Sequence, residues 1–281
     1  MMDKIRIKTE NMTSLASYRS KLRAEPRLTY LFIELTDACN MSCLHCGSSC
    51  EQDGRFIGFG LLVKCLRELS EDYSPEKVMI CLTGGEPLIY PRFFDIVDEI
   101  NEMGFVWGIT TNGSLIDERT AQMLKESSVG SVAVSLDGKE DTHEWLRNRK
   151  GSYKSALAAV KNLLSVGIDV QVTTVVHKKN IKELDGIYAT LCEAGVASWR
   201  IINIEPIGRT LQNESLLLDK QDFLYMLDYI RDKRFSNDVS MDVRYGCSHY
   251  LSYEYEHEVR DNYFICGAGL NTASVLVNGD I

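Results

Sequence analysis

The 281-residue sequence predicts an α/β chain folded as a partial (β/α)6 barrel. The first observation behind this is a run of six short β-rich segments, at 30–35, 77–82, 105–110, 131–136, 170–176 and 199–204, with helical spacing between them. The second is punctuation: three times a helical pattern closes at a glycine (Gly104, Gly167, Gly195) and an apolar strand follows at once. The third is the content of the strands, which are mostly apolar on both parities, as in a parallel sheet buried on both faces. Repeated β/α units of this size favour a barrel of the TIM kind over an open, two-faced sheet.

The helices are predicted in chain order from their apolar stripes. Phe93, Ile96, Val97, Ile100 and Met103 share a face behind Pro91. Tyr153, Ala156, Leu157, Val160, Leu163 and Leu164 share another, with Ser152 placed as its N-cap. Leu184, Ile187, Tyr188 and Leu191 form a third after Asn180, and a last helix covers about 219–231. A Tyr-rich tract without clear period follows (Tyr245, Tyr250, Tyr253, Tyr255, Tyr263). The expected division is a short N-terminal segment over 1–28, the barrel over 29–235, and a different unit over 236–281.

Composition narrows the function. With 44% hydrophobic and 25% charged residues the chain is an ordinary globular one. A formal charge of −9 argues against a general nucleic-acid binder. The charged N-terminus has no secretory h-region, and no apolar run is long enough to span a membrane. The expectation is a cytoplasmic protein with no nucleic-acid or membrane partner, in a compartment where clustered cysteines serve metals or catalysis rather than disulfides.

Of nine cysteines, Cys39, Cys43, Cys46 and Cys50 crowd into one loop, while Cys65, Cys81, Cys192, Cys247 and Cys266 are scattered. The crowded set follows the first predicted strand and so lies at the mouth where parallel barrels carry their chemistry. Three thiolates spaced C-x3-C-x2-C can hold an iron–sulfur cluster by three irons and leave the fourth open. Zinc is the alternative, with Cys50 as a fourth ligand.

These residues resemble the signature of the radical S-adenosylmethionine enzymes. Thr83-Gly84-Gly85-Glu86-Pro87, at the end of the second strand, resembles that family's G-G-E-P motif. The resemblance implies a [4Fe–4S] cluster on Cys39, Cys43 and Cys46, and S-adenosylmethionine held through Gly84, Gly85 and Glu86 at its methionyl ammonium. It extends to the third and fourth strand ends, where Thr111, Asn112, Ser135 and Asp137 are implied cofactor contacts. Ser135 and Arg147 are the implied ligands of the methionyl carboxylate, although Asn148 replaces the glycine that usually follows the arginine. Ile204, with Ile202, is a candidate adenine wall beside core packing. His45 stands where the family often has an aromatic residue and carries no assigned chemistry; Cys50 and Cys247 are likewise unassigned.

The C-terminal residues from Cys266 to Gly279 resemble the start of the SPASM extension, which binds auxiliary iron–sulfur clusters, so Cys266 is an implied ligand and the chain would end inside that extension. The alternative is a β-hairpin around Asn278-Gly279. The resemblance implies an enzyme that modifies a peptide or protein, with an electron donor such as a flavodoxin or ferredoxin. The segment before the barrel is expected to be too short for a leader-binding domain. The rivals are haem or tetrapyrrole maturation within the same superfamily and, from another class, a non-catalytic zinc-binding module.

Overall fold

The computed structural model describes residues 2–48, 50, 52–236, 240–247, 251, 254–261 and 266–281. Its centre is one eight-stranded sheet, all of whose strand pairs are parallel. The chain runs α1 (Met2–Ala24), β1 (Tyr30–Glu34), α2 (Phe59–Asp72), β2 (Met79–Thr83), α3 (Phe93–Glu102), β3 (Val106–Thr111), α4 (Glu118–Glu126) and β4 (Ser131–Ser135). It continues through α5 (Glu140–Arg147), α6 (Ser152–Ser165), β5 (Val170–Val176), α7 (Leu184–Glu193), β6 (Ser198–Asn203), α8 (Lys220–Arg234), β7 (Asp242–Tyr245) and β8 (Thr272–Val275).

The sheet order is β7-β6-β5-β4-β3-β2-β1-β8, so the six predicted strands stand side by side in sequence order as a partial barrel. Two further strands extend its edges. Both lie in the stretch read from sequence as a separate C-terminal unit: β7 pairs with β6, and β8 pairs with β1 from Tyr30↔Thr272 to Ile33↔Val275. Asn278-Gly279 forms a tight turn closed by Gly279 N–H donating to Leu276 O and Leu276 N–H donating to Asp280 O, both at 2.8 Å, and the strand before it, β8, joins β1 in parallel.

The burial of the strands corrects one expectation. Only one parity is fully buried, for example Ile33, Ile80, Leu82, Trp107, Val132, Val134, Val172 and Trp199, packed with Leu62, Leu66, Ile96, Ile100, Leu124 and Val160 from the helices. The other parity is open: Tyr30 is 49% and Phe32 39% exposed, and Cys81, Ala133, Thr173 and Arg200 are half-buried. Helices cover the outside of the barrel alone. β-Branched and aromatic side chains suit a pleated strand on either face, so strand composition did not reveal which face was covered.

Two helix starts also differ from expectation. Gly151, with φ +80°, caps α6, and Ser152 is its first residue, with its Oγ donating to Arg149 O at 2.8 Å. Asn180 precedes a 3-10 turn (Ile181–Glu183) rather than α7 itself. The expected last helix starts behind Asp219, whose carboxylate accepts from Gln221 and Asp222 N–H.

Candidate functional site

The C-terminal ends of β1 to β6 meet around the cysteine loop, residues 36–50. Cys39, Cys43 and Cys50 are buried there and Cys46 is half-buried, packed with Met41, and all four are free thiols. Three neighbouring segments fix the loop, each through a different kind of contact.

The first is the loop after β2. Gly85 N–H donates to Thr36 O at 2.6 Å and Glu86 N–H to Ala38 O at 2.9 Å. A Cβ on Gly84 would lie 2.2 Å from Thr36 O, and one on Gly85 2.0 Å from Ala38 O. The glycines therefore permit close approach of two backbones, and what approaches is the cysteine loop itself. Glu86 is fully buried; its carboxylate accepts from Thr111 Oγ1 at 2.7 Å, Asn112 N at 2.8 Å and Leu88 N at 3.3 Å. Burial pushes the Glu86 carboxyl up, opposed by these donors.

Thr111 and Asn112 extend this link to β3. Asn112 Nδ2 donates to Asn40 Oδ1 at 2.9 Å and approaches Cys39 Sγ at 4.0 Å, while its Oδ1 accepts from Ser114 N and Oγ. Of the residues implied as cofactor contacts, Gly84, Gly85, Glu86, Thr111 and Asn112 thus also form part of the frame of the cysteine loop.

The second segment is the end of α5. Leu146 O accepts from Leu44 N at 2.8 Å, Arg147 Nη1 lies 3.8 Å from Cys43 Sγ, Asn148 Nδ2 donates to Ser42 Oγ at 2.9 Å, and Arg149 Nη1 donates to Asn40 O. Four consecutive residues thereby grip the loop. Asn148 has φ +50°, a left-handed helix-terminal conformation that suits glycine best and asparagine next, which explains the departure from the usual Arg-Gly.

Arg147 is buried in an ion pair with Asp137, its Nε 2.6 Å from Oδ2 and its Nη2 also in contact. Asp137 Oδ1 accepts from Val175 N at 2.8 Å. Burial pushes the Asp137 carboxyl up, but the Arg147 guanidinium overrides that and holds it at about 2. The positive charge of Arg147 is therefore already met by a carboxylate inside the fold. Ser135, by contrast, is half-buried at the end of β4 and its hydroxyl makes no hydrogen bond among the described residues.

The third segment, after β6, is one that sequence reasoning missed. Arg209 donates from Nε to Cys43 O and from Nη1 to Cys50 O, both at 2.8 Å, and its backbone N–H donates to Cys46 O at 2.9 Å. Asn213 Nδ2 donates to Leu44 O at 3.1 Å. Gly208, at φ +54°, passes so close that a Cβ would lie 2.3 Å from Cys46 O. The only sequence signal for this clasp was the Gly-Arg pair soon after a strand end, which is too common to single out.

Two buried histidines, His143 and His177, and the half-buried His45 surround Asp137. Asp137 N–H donates to His143 Nδ1 at 3.0 Å, and Lys179 N–H donates to His177 Nδ1 at 3.2 Å, so both rings carry their proton on Nε2. His45 Nε2 stands 4.0 Å from Asp137 Oδ2, and its Nδ1 is buried without a partner. Ile204 is buried with Leu146 and Leu216 and borders a groove of about 830 Å³ beside α8. Cys266 is exposed and stands apart from the four clustered thiols.

Cys39, Cys43 and Cys46, free thiols on one loop, suit a cluster held through three of its irons. The thiols differ in character: burial pushes Cys39 up to about 11, whereas a hydrogen bond from Cys50 pulls Cys46 down. Two side-chain N–H groups, from Asn112 and Arg147, point at Cys39 and Cys43. Such N–H···S contacts are part of how proteins hold and tune iron–sulfur clusters.

Comparison with known proteins agrees. The Radical SAM superfamily profile matches residues 33–191. The chain is 28% identical over 179 residues to an AdoMet-dependent heme synthase of Methanosarcina barkeri, covering 63% of this chain and 50% of that protein. It is 32% identical over 179 residues to the mycofactocin maturase MftC of Mycolicibacterium smegmatis, covering 63% and 44%. It thus spans about half the length of these curated relatives. Streptococcus suis SuiB bound to S-adenosylmethionine superposes with a TM-score of 0.73 at 17% identity, over 97% of this chain and 64% of that one. No helix among the described residues is long and apolar enough to cross a membrane. With the family profile spanning more than half of a chain whose strand ends gather around three free thiols, this protein belongs to the radical SAM superfamily, whose cofactors are a [4Fe–4S] cluster and S-adenosylmethionine.

Proposed function

We propose that this chain carries the catalytic barrel of an enzyme that reductively cleaves S-adenosylmethionine and uses the product to modify a peptide or protein. The observation that carries the reading is the triply clasped loop presenting Cys39, Cys43 and Cys46 at the ends of β1 to β6. The cluster, with S-adenosylmethionine at its open iron, supplies the C–S cleavage that yields methionine and a 5′-deoxyadenosyl radical. The protein's part is to hold and orient. Cys39, Cys43 and Cys46 ligate the cluster; backbone groups of Gly84 and Gly85 border the cofactor; Ser135, with its free hydroxyl, receives the methionyl carboxylate; Ile204 contributes to the adenine wall. Cys266 belongs to an auxiliary cluster site, and a flavodoxin or ferredoxin provides the electron.

Likeness to MftC and to SuiB, which has also been crystallised with its precursor peptide SuiA, supports the peptide reading. Likeness to AdoMet-dependent heme synthases supports a second reading, a tetrapyrrole substrate.

Anaerobic reconstitution with iron and sulfide tests both levels. A coloured protein that converts S-adenosylmethionine to 5′-deoxyadenosine under a strong reductant is expected, and Cys39→Ala, Cys43→Ala and Cys46→Ala should each abolish that conversion. A colourless protein holding zinc would remove the enzyme reading. Mass spectrometry after incubation with candidate precursor peptides, or with an iron porphyrin, then separates the substrates.

A further inference from the structure

Arg147 was expected, by resemblance, to meet the methionyl carboxylate, yet its surroundings are of another kind. Nε and Nη2 are spent on Asp137 Oδ2, and Nη1 lies 3.8 Å from Cys43 Sγ. Asp137 cannot release it readily. Asp137 Oδ1 takes Val175 N–H at 2.8 Å, its N–H is held by His143 Nδ1 at 3.0 Å, and its carbonyl accepts from Asn180 Nδ2 at 2.9 Å. Elements β4, β5 and α5 thus fix one guanidinium against one cysteine sulfur in a site almost without water: Asp137 is 0% and Arg147 9% exposed.

We propose that Arg147 acts as a positioning residue that sets the reduction potential of the cluster through a hydrogen bond to the Cys43 thiolate, with Asp137 as its counter-charge. This rests on the cluster assignment made above. The physics is charge balance. Adding an electron makes the cluster sulfurs more negative, and a buried N–H donor with positive charge favours that state, while a carboxylate behind the donor moderates it. Asn112, whose Nδ2 stands 4.0 Å from Cys39 Sγ, adds an uncharged donor at a second cysteine.

The pairing predicts shifts of opposite sign from two variants within one contact. Arg147→Met removes the donor and its charge, so the cluster becomes harder to reduce. Asp137→Asn keeps the size and an acceptor for Val175 N–H but leaves the guanidinium uncompensated, so the cluster becomes easier to reduce. The measurement is a redox titration of the reconstituted full chain, followed by electron paramagnetic resonance without S-adenosylmethionine. Arg147→Met should lower the reduced-to-oxidised ratio at a fixed donor potential about tenfold, equivalent to 59 mV for a one-electron couple, and Asp137→Asn should raise it. Arg147→Lys, which keeps the charge but loses the fork, should fall between wild type and Arg147→Met.

Iron content per chain is measured alongside. If Arg147→Met takes up no cluster, the opposed shifts of Asp137→Asn and Arg147→Lys carry the test. Potentials that stay at the wild-type value, or that all move one way at wild-type iron content, overturn the inference. A wild-type chain that assembles no [4Fe–4S] cluster instead overturns the functional reading beneath it.

Discussion

At the residue scale, the site is ruled by buried polar groups whose protonation burial has already decided. Burial lowers both His143 and His177 to about 4, from an ordinary 6.5, so both rings are neutral in the folded chain. The unfolded chain binds protons that the folded one refuses. Stability is therefore fully present above pH 6.5 and declines as the pH falls from there toward 4, by on the order of 2 kcal/mol per ring at about pH 5. Asp137 acts lower: its stabilising effect holds above pH 3.8 and disappears only as the pH falls toward 2. Urea midpoints at neutral pH and at about pH 5 should show a clear loss for the wild type and a smaller one for His143→Gln, whose side-chain oxygen can still accept from Asp137 N–H. Equal losses in the two proteins would assign the acid sensitivity elsewhere. None of this was legible in the sequence. A lone histidine has no pattern, and only the fold brings His45, His143 and His177 around one carboxylate.

At the element scale, α5 shows how a short helix becomes part of a site. Its last turn and the residues just after it, Leu146 to Arg149, each bond a different residue of the cysteine loop, so its termination point sets the register of the clasp. Termination depends on Asn148 at φ +50°. Asn148→Gly keeps that conformation and loses the bond to Ser42, whereas Asn148→Ala loses the same bond and also leaves in the left-handed region a residue without asparagine's local polar contacts, at a cost of about 1–2 kcal/mol relative to glycine. Chemical denaturation should thus rank wild type above Asn148→Gly and Asn148→Gly above Asn148→Ala; the reverse order for the two variants would mean that the helix ends differently. The sequence showed Asn148 as a departure from a family pattern. The backbone conformation shows it as the nearest chemical substitute for glycine. Arg209 is the converse case, a residue without a motif whose three hydrogen bonds to Cys43, Cys46 and Cys50 exist only because the segment after β6 folds back over the loop after β1.

At the scale of the whole molecule, β8 closes the β1 edge of the sheet. It covers the backbone of Tyr30 to Ile33, next to the exposed rings of Tyr30 and Phe32. An uncovered edge strand is a template for pairing with another chain. Removing residues 271–281 should shift the protein toward larger species in light scattering at concentrations where the parent shows none of that increase; an unchanged distribution would mean the β1 edge is protected by other means. The same asymmetry shapes the interior. Helices pack one parity of the strands into the core, and the other parity stays partly exposed on the face that the helices leave uncovered.

The sequence by itself determined the order of β/α units, the loop that holds the thiols and the family, because periodicity, helix-ending glycines and C-x3-C-x2-C are local patterns carried by neighbouring residues. Tertiary structure decided the rest. Gly84 and Gly85 prove to be contact points for the cysteine backbone, Arg147 faces a sulfur with its charge matched by Asp137, and two unpredicted strands complete the sheet. Each of these depends on a distance between segments far apart in the chain, and such a distance is set by packing, which no local pattern encodes.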